Sequence, residues 1–451
     1  MKKRNWVIAG AVVVLAALGI GYGIRSSHYQ DRFLPKTEVL GVNVAGKTVK
    51  QADQKLKATL ADVDYQLKDG GQTVATVSGK TLGLKRDYQA LLGKLLAKQN
   101  PWGFSAVVLA NSDKSALASS ADSKEITTYA TSEAASLNKT RTAPVDAKVV
   151  LKGDSYKVEK EQAGNQVDPH KLAEALAKAI QDNKHSVALK QTFYQPKAKA
   201  TDKALINAAT KLEKIGRVKA VITITNHKEQ IPASRLKSWL SYSNGAVQVD
   251  EKGVAKFVTE LANKYNTYDK ARQFKSTKRG TVTVPAGIYG WSIMQDKETA
   301  ALIDLIKKGQ DFDQQVLHRG TGYHADGADI GSTYLEIDKQ NQHEWLYQNG
   351  KVVLDSPVVT GKPATPTPSG VFAVWSKQRN ATLVGEDYRT PVSYWMPIDN
   401  TGVGLHDASW QPTFGGTWYQ KHGSHGCINQ PPSFIPKLWA AMSVGTPVIV
   451  F

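Results

Sequence analysis

Residues 422–432 read HGSHGCINQPP and hold Cys427, the only cysteine in 451 residues. His422, Ser424 and His425 crowd around it, and His406 stands 21 residues upstream in GVGLHDASW. A thiol is mostly protonated at neutral pH and becomes a strong nucleophile when a histidine takes its proton or stabilises the thiolate. Two histidines are candidates. His425 is two residues from Cys427, which places both on one face of a strand but guarantees no contact in a turn. His406 ends a strand-like run and can approach from a neighbouring strand. Asp407 follows it and could orient the imidazole by side chain or by backbone. Gly423 and Gly426 let the backbone fold tightly and present N–H groups, as an oxyanion hole requires. A nucleophile, a base and oxyanion donors make an acyl-transfer set. The rival is a zinc site built from His406, His422, His425 and Cys427. His425 and Cys427 are too close in sequence for easy chelation and no second cysteine is present, so no metal and no cofactor are expected.

The elements that position this set must be found in a long, basic chain. Its length suits about three domains, and 41% hydrophobic with 22% charged residues is ordinary for globular domains. The formal net charge of +18 favours a polyanionic partner: nucleic acid, anionic lipid or an anionic wall polymer. The N-terminus narrows the choice. Lys2, Lys3 and Arg4 precede residues 6–24, which run 19 positions without a charge. That is enough to cross a bilayer as a helix. It exceeds the apolar core of a cleavable signal peptide, and GYGIRSS is a poor cleavage site. Residues 1–25 are therefore expected to be a basic flank and an uncleaved transmembrane signal-anchor with its N-terminus cytoplasmic. Everything from about Ser26 onward then lies outside the cell, facing the wall, where nucleic acid is not a partner. A lone cysteine there cannot form an internal disulfide. Its polar, glycine-rich setting is that of an accessible thiol, unlike a buried cysteine acting as a small hydrophobe.

Between the anchor and the cysteine, residues 39–44 alternate briefly and a helix is expected from about Val49. GQTVATVSGKTLGL alternates like a strand pair. RDYQALLGKLLAKQ spaces Leu91, Leu92, Leu95 and Leu96 on one helix face. Residues 111–124, rich in Ser, Ala and Asp, read as a loop. Asp168-Pro169 opens a helix as N-cap and first helical residue. Eighty-two residues later, Gln248, Val249, Asp250 and Ala255 repeat Gln166, Val167, Asp168 and Ala173. Each copy follows a strand-like run, DAKVVL or KAVITI, which predicts a duplicated α+β module. Both copies are lysine-rich and neither holds a clustered catalytic set. The stretches GVNVAGKTVKQA, QAGNQVDPHKLAEAL and TVPAGIYGWSIMQDKETAALIDLIKKGQ resemble the peptidoglycan-binding modules of membrane-anchored wall enzymes. On that resemblance the modules span 33–200 and 201–325 and contact glycan strands.

From about Ile330 the chain reads as short strands, with Asn349-Gly350 as a hairpin turn and one short helix in SFIPKLWAAM. A compact, mostly-β domain over 330–451 is expected. GVGLHDASW followed by GSHGCINQPP is similar to the signature of the L,D-transpeptidases, whose catalytic domain is the YkuD type, a β-sandwich. His406, Ser424, His425, Gly426, Cys427, Ile428 and Asn429 fill the pattern, and TPTPSGVFAVW and VGTPVIVF also look like the family. The resemblance implies Cys427 as nucleophile, His406 as general base and Asp407 as an orienting group. It makes His425, Ser424 and Asn429 site-shaping, and gives the amides of Gly426 and Cys427 to the oxyanion hole. His422 lies outside the pattern. The 21-residue spacing is long and implies an elaborated lid.

The implied partners are peptidoglycan stem peptides and glycan strands, with anionic wall polymers and the membrane beside them. The implied reaction forms 3→3 cross-links. Cys427 attacks the carbonyl of the third residue of a tetrapeptide stem, D-Ala leaves, and a side-chain amine of a second stem attacks the thioester. Carbapenems commonly acylate the same cysteine in this family. The competing readings are a wall endopeptidase or carboxypeptidase, with water as acceptor, and a wall-binding scaffold with a silent catalytic domain. A sortase would show a TLxTC-like stretch in place of SHGCIN.

Overall fold

The computed structural model describes residues 2–59, 63–104, 108–109, 119–120, 122–182, 184–386 and 388–451. Lys2–His28 form one helix, and its stretch Gly10–His28 is long and apolar enough to cross a membrane. Near its end Arg25 lies over the rings of Tyr22, Tyr29 and Phe104. Two compact units follow from the contacts: residues 1–148 with 159–202, and residues 149–158 with 203–451.

In the first unit the strand Gln72–Ser78 pairs antiparallel with Asp64–Asp69. The sequence segment 71–84 was expected to supply both strands. Instead, Gly70 and Gly71, at φ 54° and 94°, make the turn one strand earlier, because a Gly-Gly pair takes two successive positive φ values with no Cβ penalty. Of the stretch 111–124 expected as a loop, residues 111–118 and 121 lie outside the described residues. Its end is helical. The Asp122 side chain accepts the Lys124 N–H and caps the helix Ser123–Leu137, which buries Ile126, Ala130 and Ala134. That face is mostly alanine, too small to stand out as an apolar stripe in the sequence. Asp168 caps the helix Pro169–Gln181 as expected, accepting the His170 N–H at 2.9 Å.

The two modules repeat, but in a different register from the one that Gln-Val-Asp suggests. In the first, a hairpin (64–78) is joined in parallel by the strand Ser186–Ala188, which follows the helix Pro169–Gln181. In the second, the hairpin Ala220–Ile224 with His227–Gln230 is joined in parallel by Phe312–Gln315, which follows the helix Gln295–Lys308. The helix after Asp168 therefore corresponds to Gln295–Lys308. The helix after Asp250, Glu251–Tyr265, corresponds to Ser123–Leu137. Asp250 also makes no side-chain cap bond. A short string before a helix that opens after Asp fixes no equivalence; strand pairing does. The hairpin 149–158, between elements of the first unit, belongs to the second, where Tyr156 Oη donates to Lys237 O. Lys237 Nζ donates in turn to Asp154 and Glu213.

The C-terminal part of the second unit is a β-sandwich. Its strands are β1 (Tyr334–Asp338), β2 (His343–Gln348), β3 (Lys351–Pro357), β4 (Gly370–Ala373), β5 (Gln378–Val384), β6 (Arg389–Pro397), β7 (Gly404–Asp407), β8 (Ile428–Gln430) and β9 (Pro447–Val450). One sheet has the order β3-β2-β1-β9-β4, the other β5-β6-β7-β8. Leu335, Ile337 and Leu346 of the first pack with Met396, Leu405 and Ile428 of the second and with Ile435 and Leu438 of the helix Ile435–Ala441. The hairpin Arg272–Ser276 with Gly280–Val284 seals the outer face of the first sheet, packing Phe274 and Val284 with Val371, Ile449 and Phe451. Thr277 donates from N and Oγ1 to the buried Glu336 at 2.8 and 2.6 Å.

One carboxyl in this core has no cation. Glu344 on β2 is fully buried, accepts Gln430 Nε2 at 2.9 Å, and burial pushes its pKa up to about 8. Glu344 Oε1 and Gln430 Oε1 have no partner. A proton on Oε1 lets the two groups pair as acid and amide. Because folding raises this pKa from its ordinary 4.5, the stability it contributes is full below that value and is lost as pH rises through about 8. Glu344→Gln should therefore flatten the decline in urea-unfolding midpoint between pH 5 and 9. An unchanged slope would refute the assignment.

Candidate active site

β7 and β8 run parallel, with Leu405 opposite Ile428, His406 opposite Asn429 and Asp407 opposite Gln430. Cys427 immediately precedes β8, so pairing of the two strands brings the histidine of one beside the thiol at the mouth of the other. Both side chains line one cavity of about 450 Å³. His406 is buried and burial pulls its pKa down, opposed by its bond to Asp407. Its Nδ1 lies 2.9 Å from the Asp407 carbonyl oxygen. A proton on Nδ1 donated there leaves Nε2 unprotonated and able to accept. The Asp407 carboxylate does not reach the ring. It accepts the N–H groups of Ser393 and Tyr394 at 3.1 and 2.8 Å and ties β7 to β6. Of the two ways Asp407 was expected to orient the imidazole, only the backbone operates.

Cys427 is half-buried and its thiol donates to Gly402 O at 3.6 Å. Burial pushes its pKa up to about 11, so the resting pair is neutral thiol and neutral imidazole. The loop before it is braced from within. Ser424 Oγ donates to Cys427 O at 2.5 Å and accepts the Gly426 N–H at 3.0 Å. The Gly426 amide, expected in the oxyanion hole, is thus engaged by Ser424 Oγ in this structure. Gly426 has φ +122°, a conformation L side chains rarely adopt. The loop is also braced from outside by 358–369. Ser424 N donates to Thr360 O, Lys362 N to Ser424 O, and Thr365 Oγ1 to Ser424 O at 2.9 Å. A Cβ on Gly423 would stand 2.4 Å from Lys362 N and 2.5 Å from Tyr419 O.

His425 is exposed and stacks on Tyr388 from the β5–β6 connection, with ring centroids 5.1 Å apart. It shapes the cavity rim while His406 stands at the floor. Asn429 is buried, lines the cavity, and its Oδ1 has no partner. The segment between His406 and Cys427 forms another wall. Trp418 Nε1 donates to Gln411 Oε1, Gln411 Nε2 donates to His422 O, and the Trp418 and His422 rings stack at 3.7 Å. His422, without a role in the sequence pattern, thus supports this wall. Trp410, Trp418, Tyr388 and Lys362 also line the cavity and were not anticipated. The two tryptophans in the long spacer were the one available signal. Among the described residues no group of three or more His, Cys, Asp or Glu side chains could hold a metal ion.

A cysteine with a buried, backbone-oriented histidine on a two-sheet sandwich defines a cysteine acyl-transfer domain. The L,D-transpeptidase catalytic domain (YkuD) model matches residues 332–450. The model described as a putative peptidoglycan binding domain matches twice, at 76–188 and 199–314. A crystal structure of a cysteine-to-serine mutant of the Enterococcus faecium L,D-transpeptidase is 49% identical, covering 54% of this chain and 98% of that one, with a TM-score of 0.50. An Ldtfm–avibactam carbamoyl enzyme is also 49% identical, covering 55% and 98%, with a TM-score of 0.51. L,D-transpeptidase 1 of Mycobacterium tuberculosis is 28% identical over 136 residues, 28% of this chain and 53% of that protein. The chain thus spans about half the length of the curated relatives it matches. It belongs to the L,D-transpeptidase family.

The close approach at Gly423 generates a test. Gly423→Ala should separate the loop 358–369 from the cysteine loop and lower acylation of Cys427 by a carbapenem about 10²-fold, as small misplacements of a reacting group do. Mass spectrometry of the acyl-enzyme gives the rate, and an unchanged rate in a folded variant would refute the brace.

Proposed function

We propose that this protein is a peptidoglycan L,D-transpeptidase that forms 3→3 cross-links through a thioester on Cys427, with tetrapeptide stems as donors. The observation that carries the reading is the pairing of β7 with β8, which sets His406 beside the chain's single thiol in one cavity. His406 Nε2 takes the Cys427 proton as sulfur attacks the carbonyl carbon of the third stem residue. A thiol held near pKa 11 is almost wholly protonated at neutral pH, so this base is needed at the moment of attack. The Cys427 N–H meets the developing oxyanion. The imidazolium returns the proton to the leaving amine as the C–N bond breaks and D-Ala departs. The amine of a second stem then attacks the thioester, gives its proton to His406, and releases the thiol. The energy of the broken amide is kept in the thioester, and no ATP is required. Ser424, His425 and Asn429 shape the site; Asp407 acts through its carbonyl.

The helix Lys2–His28 serves in this reading as a single-pass anchor, with the Arg25–aromatic cluster at the outer interface, where Tyr and Trp are favoured. The lysine-rich modules hold the catalytic domain against glycan strands and anionic wall polymer. Avibactam, found as a carbamoyl adduct on one relative, and carbapenems are expected to modify Cys427.

Cys427→Ala should abolish thioester formation and cross-linking in a folded protein; residual cross-linking would overturn the reading. His406→Ala should slow acylation by about 10²–10⁴-fold. The deficit should shrink from pH 7 toward pH 10 as unaided thiolate forms, whereas His425→Ala should show no alkaline rescue. The opposite pattern would assign the base to His425. Pull-down of the Cys427→Ala chain by isolated wall sacculi should weaken with added salt as the screening length falls toward ~8 Å; failure to bind at low salt would remove the modules' wall role.

A further inference from the structure

The cavity beside Cys427 carries a charge bias that acyl transfer itself does not use. Lys362 and Lys421 line it together with His422, and its described lining contains no aspartate or glutamate. Neither ammonium has a hydrogen-bond or ion-pair partner among the described residues. Two other lysines of the same unit are held by partners. Lys377 Nζ donates to Trp439 O and Met442 O at 2.6 and 2.7 Å, and Lys237 is held by Asp154 and Glu213. Both cavity lysines are fixed at the backbone. Lys362 donates its N–H to Ser424 O, accepts from Thr365 N at 2.9 Å, and is pressed against Gly423. Lys421 sits in the helix Tyr419–His422, held by the Trp418–His422 stack and the Gln411 bonds. The sequence thus plants two free cations on two separately anchored segments of one cleft.

We propose that Lys362 and Lys421 form a carboxylate-binding subsite that selects acyl donors whose leaving residue ends in a free carboxylate. The inference rests on the transpeptidase reading above. A tetrapeptide donor places its terminal carboxylate one carbon from the scissile nitrogen. When the scissile carbonyl reaches Sγ, that charge enters the same cavity, whose lining carries both lysines. The carboxylate keeps its charge from bound substrate to transition state. The lysines therefore bind both about equally, and their removal is read in KM more than in kcat. A charge-assisted hydrogen bond is strong enough to discriminate by about tenfold or more. A carboxamide at the same position has no charge for the lysines to meet. They are positioning residues and hold no reacting atom.

The test compares one tetrapeptide with a C-terminal carboxylate and the same peptide with a C-terminal carboxamide. Acylation of Cys427 is followed by mass spectrometry, and binding to the full-length Cys427→Ala protein by calorimetry. The wild-type chain should prefer the carboxylate by about tenfold or more. Lys362→Met and Lys421→Met should erase most of that preference by raising KM for the carboxylate donor, leaving the carboxamide donor unaffected. Lys437→Met, in the helix Ile435–Ala441 outside the cavity lining, should retain it. Equal handling of both donors by the wild-type chain, or an equal loss of both in the lysine variants, overturns the subsite. Binding preference without any acylation would sustain the subsite and overturn the transpeptidase reading instead.

Discussion

Parallel pairing of two short strands, β7 with β8, is the constraint on which the site depends. Three residue pairs fix it, Leu405 with Ile428, His406 with Asn429 and Asp407 with Gln430. Strand register has a period of two, so a slip by one residue would turn His406 to the opposite face. Leu405 and Ile428, both fully buried, hold the register by pointing into the sandwich core. Their neighbours in sequence, His406 and Cys427, are thereby turned toward the cavity. The core and the catalytic pair are alternate residues of the same strands, and the packing that stabilises one orients the other.

Cys427 itself lies in a loop, and loops do not hold geometry alone. Here the rigidity is imported. Ser424 closes the turn around Cys427 from inside, and the segment 358–369 clamps it from outside through backbone bonds at Thr360 and Lys362 and the Thr365 hydroxyl. That arrangement requires glycine at 423, where backbone approaches backbone too closely for a side chain. Burial pushes the thiol pKa up to about 11 and keeps it protonated at rest, and an unactivated thiol is a weak nucleophile, since reactivity follows the thiolate. In the proposed reaction activation falls to His406, whose burial keeps it neutral and able to accept.

Buried charge recurs outside the site. Glu336 is satisfied by Thr277 from the hairpin of the preceding module, and the same hairpin covers Val371, Ile449 and Phe451. The catalytic sandwich therefore shares its outer core with its neighbour within one compact unit. One continuous apolar layer crosses the boundary expected between 325 and 330, with Phe274 and Val284 on one side of it and Val371, Ile449 and Phe451 on the other.

The sequence by itself determined the chemistry on offer. One cysteine, a glycine-rich SHGC turn and nearby histidines offered an acyl-transfer set, and the resemblance of that pattern to the L,D-transpeptidase signature pointed to the reaction class. It also marked the apolar N-terminal helix and the caps at Asp168-Pro169, which are local. Tertiary structure decided everything that depends on which strand lies beside which. It chose the carbonyl of Asp407 over its carboxylate, tied the Gly426 amide to Ser424 Oγ, and brought Lys362 to Ser424 across 62 residues of chain. It also moved the module repeat to a different pair of helices. Those outcomes rest on hydrogen bonds between segments far apart in the chain. No local periodicity or propensity encodes such bonds, so they became legible only once the strands were paired.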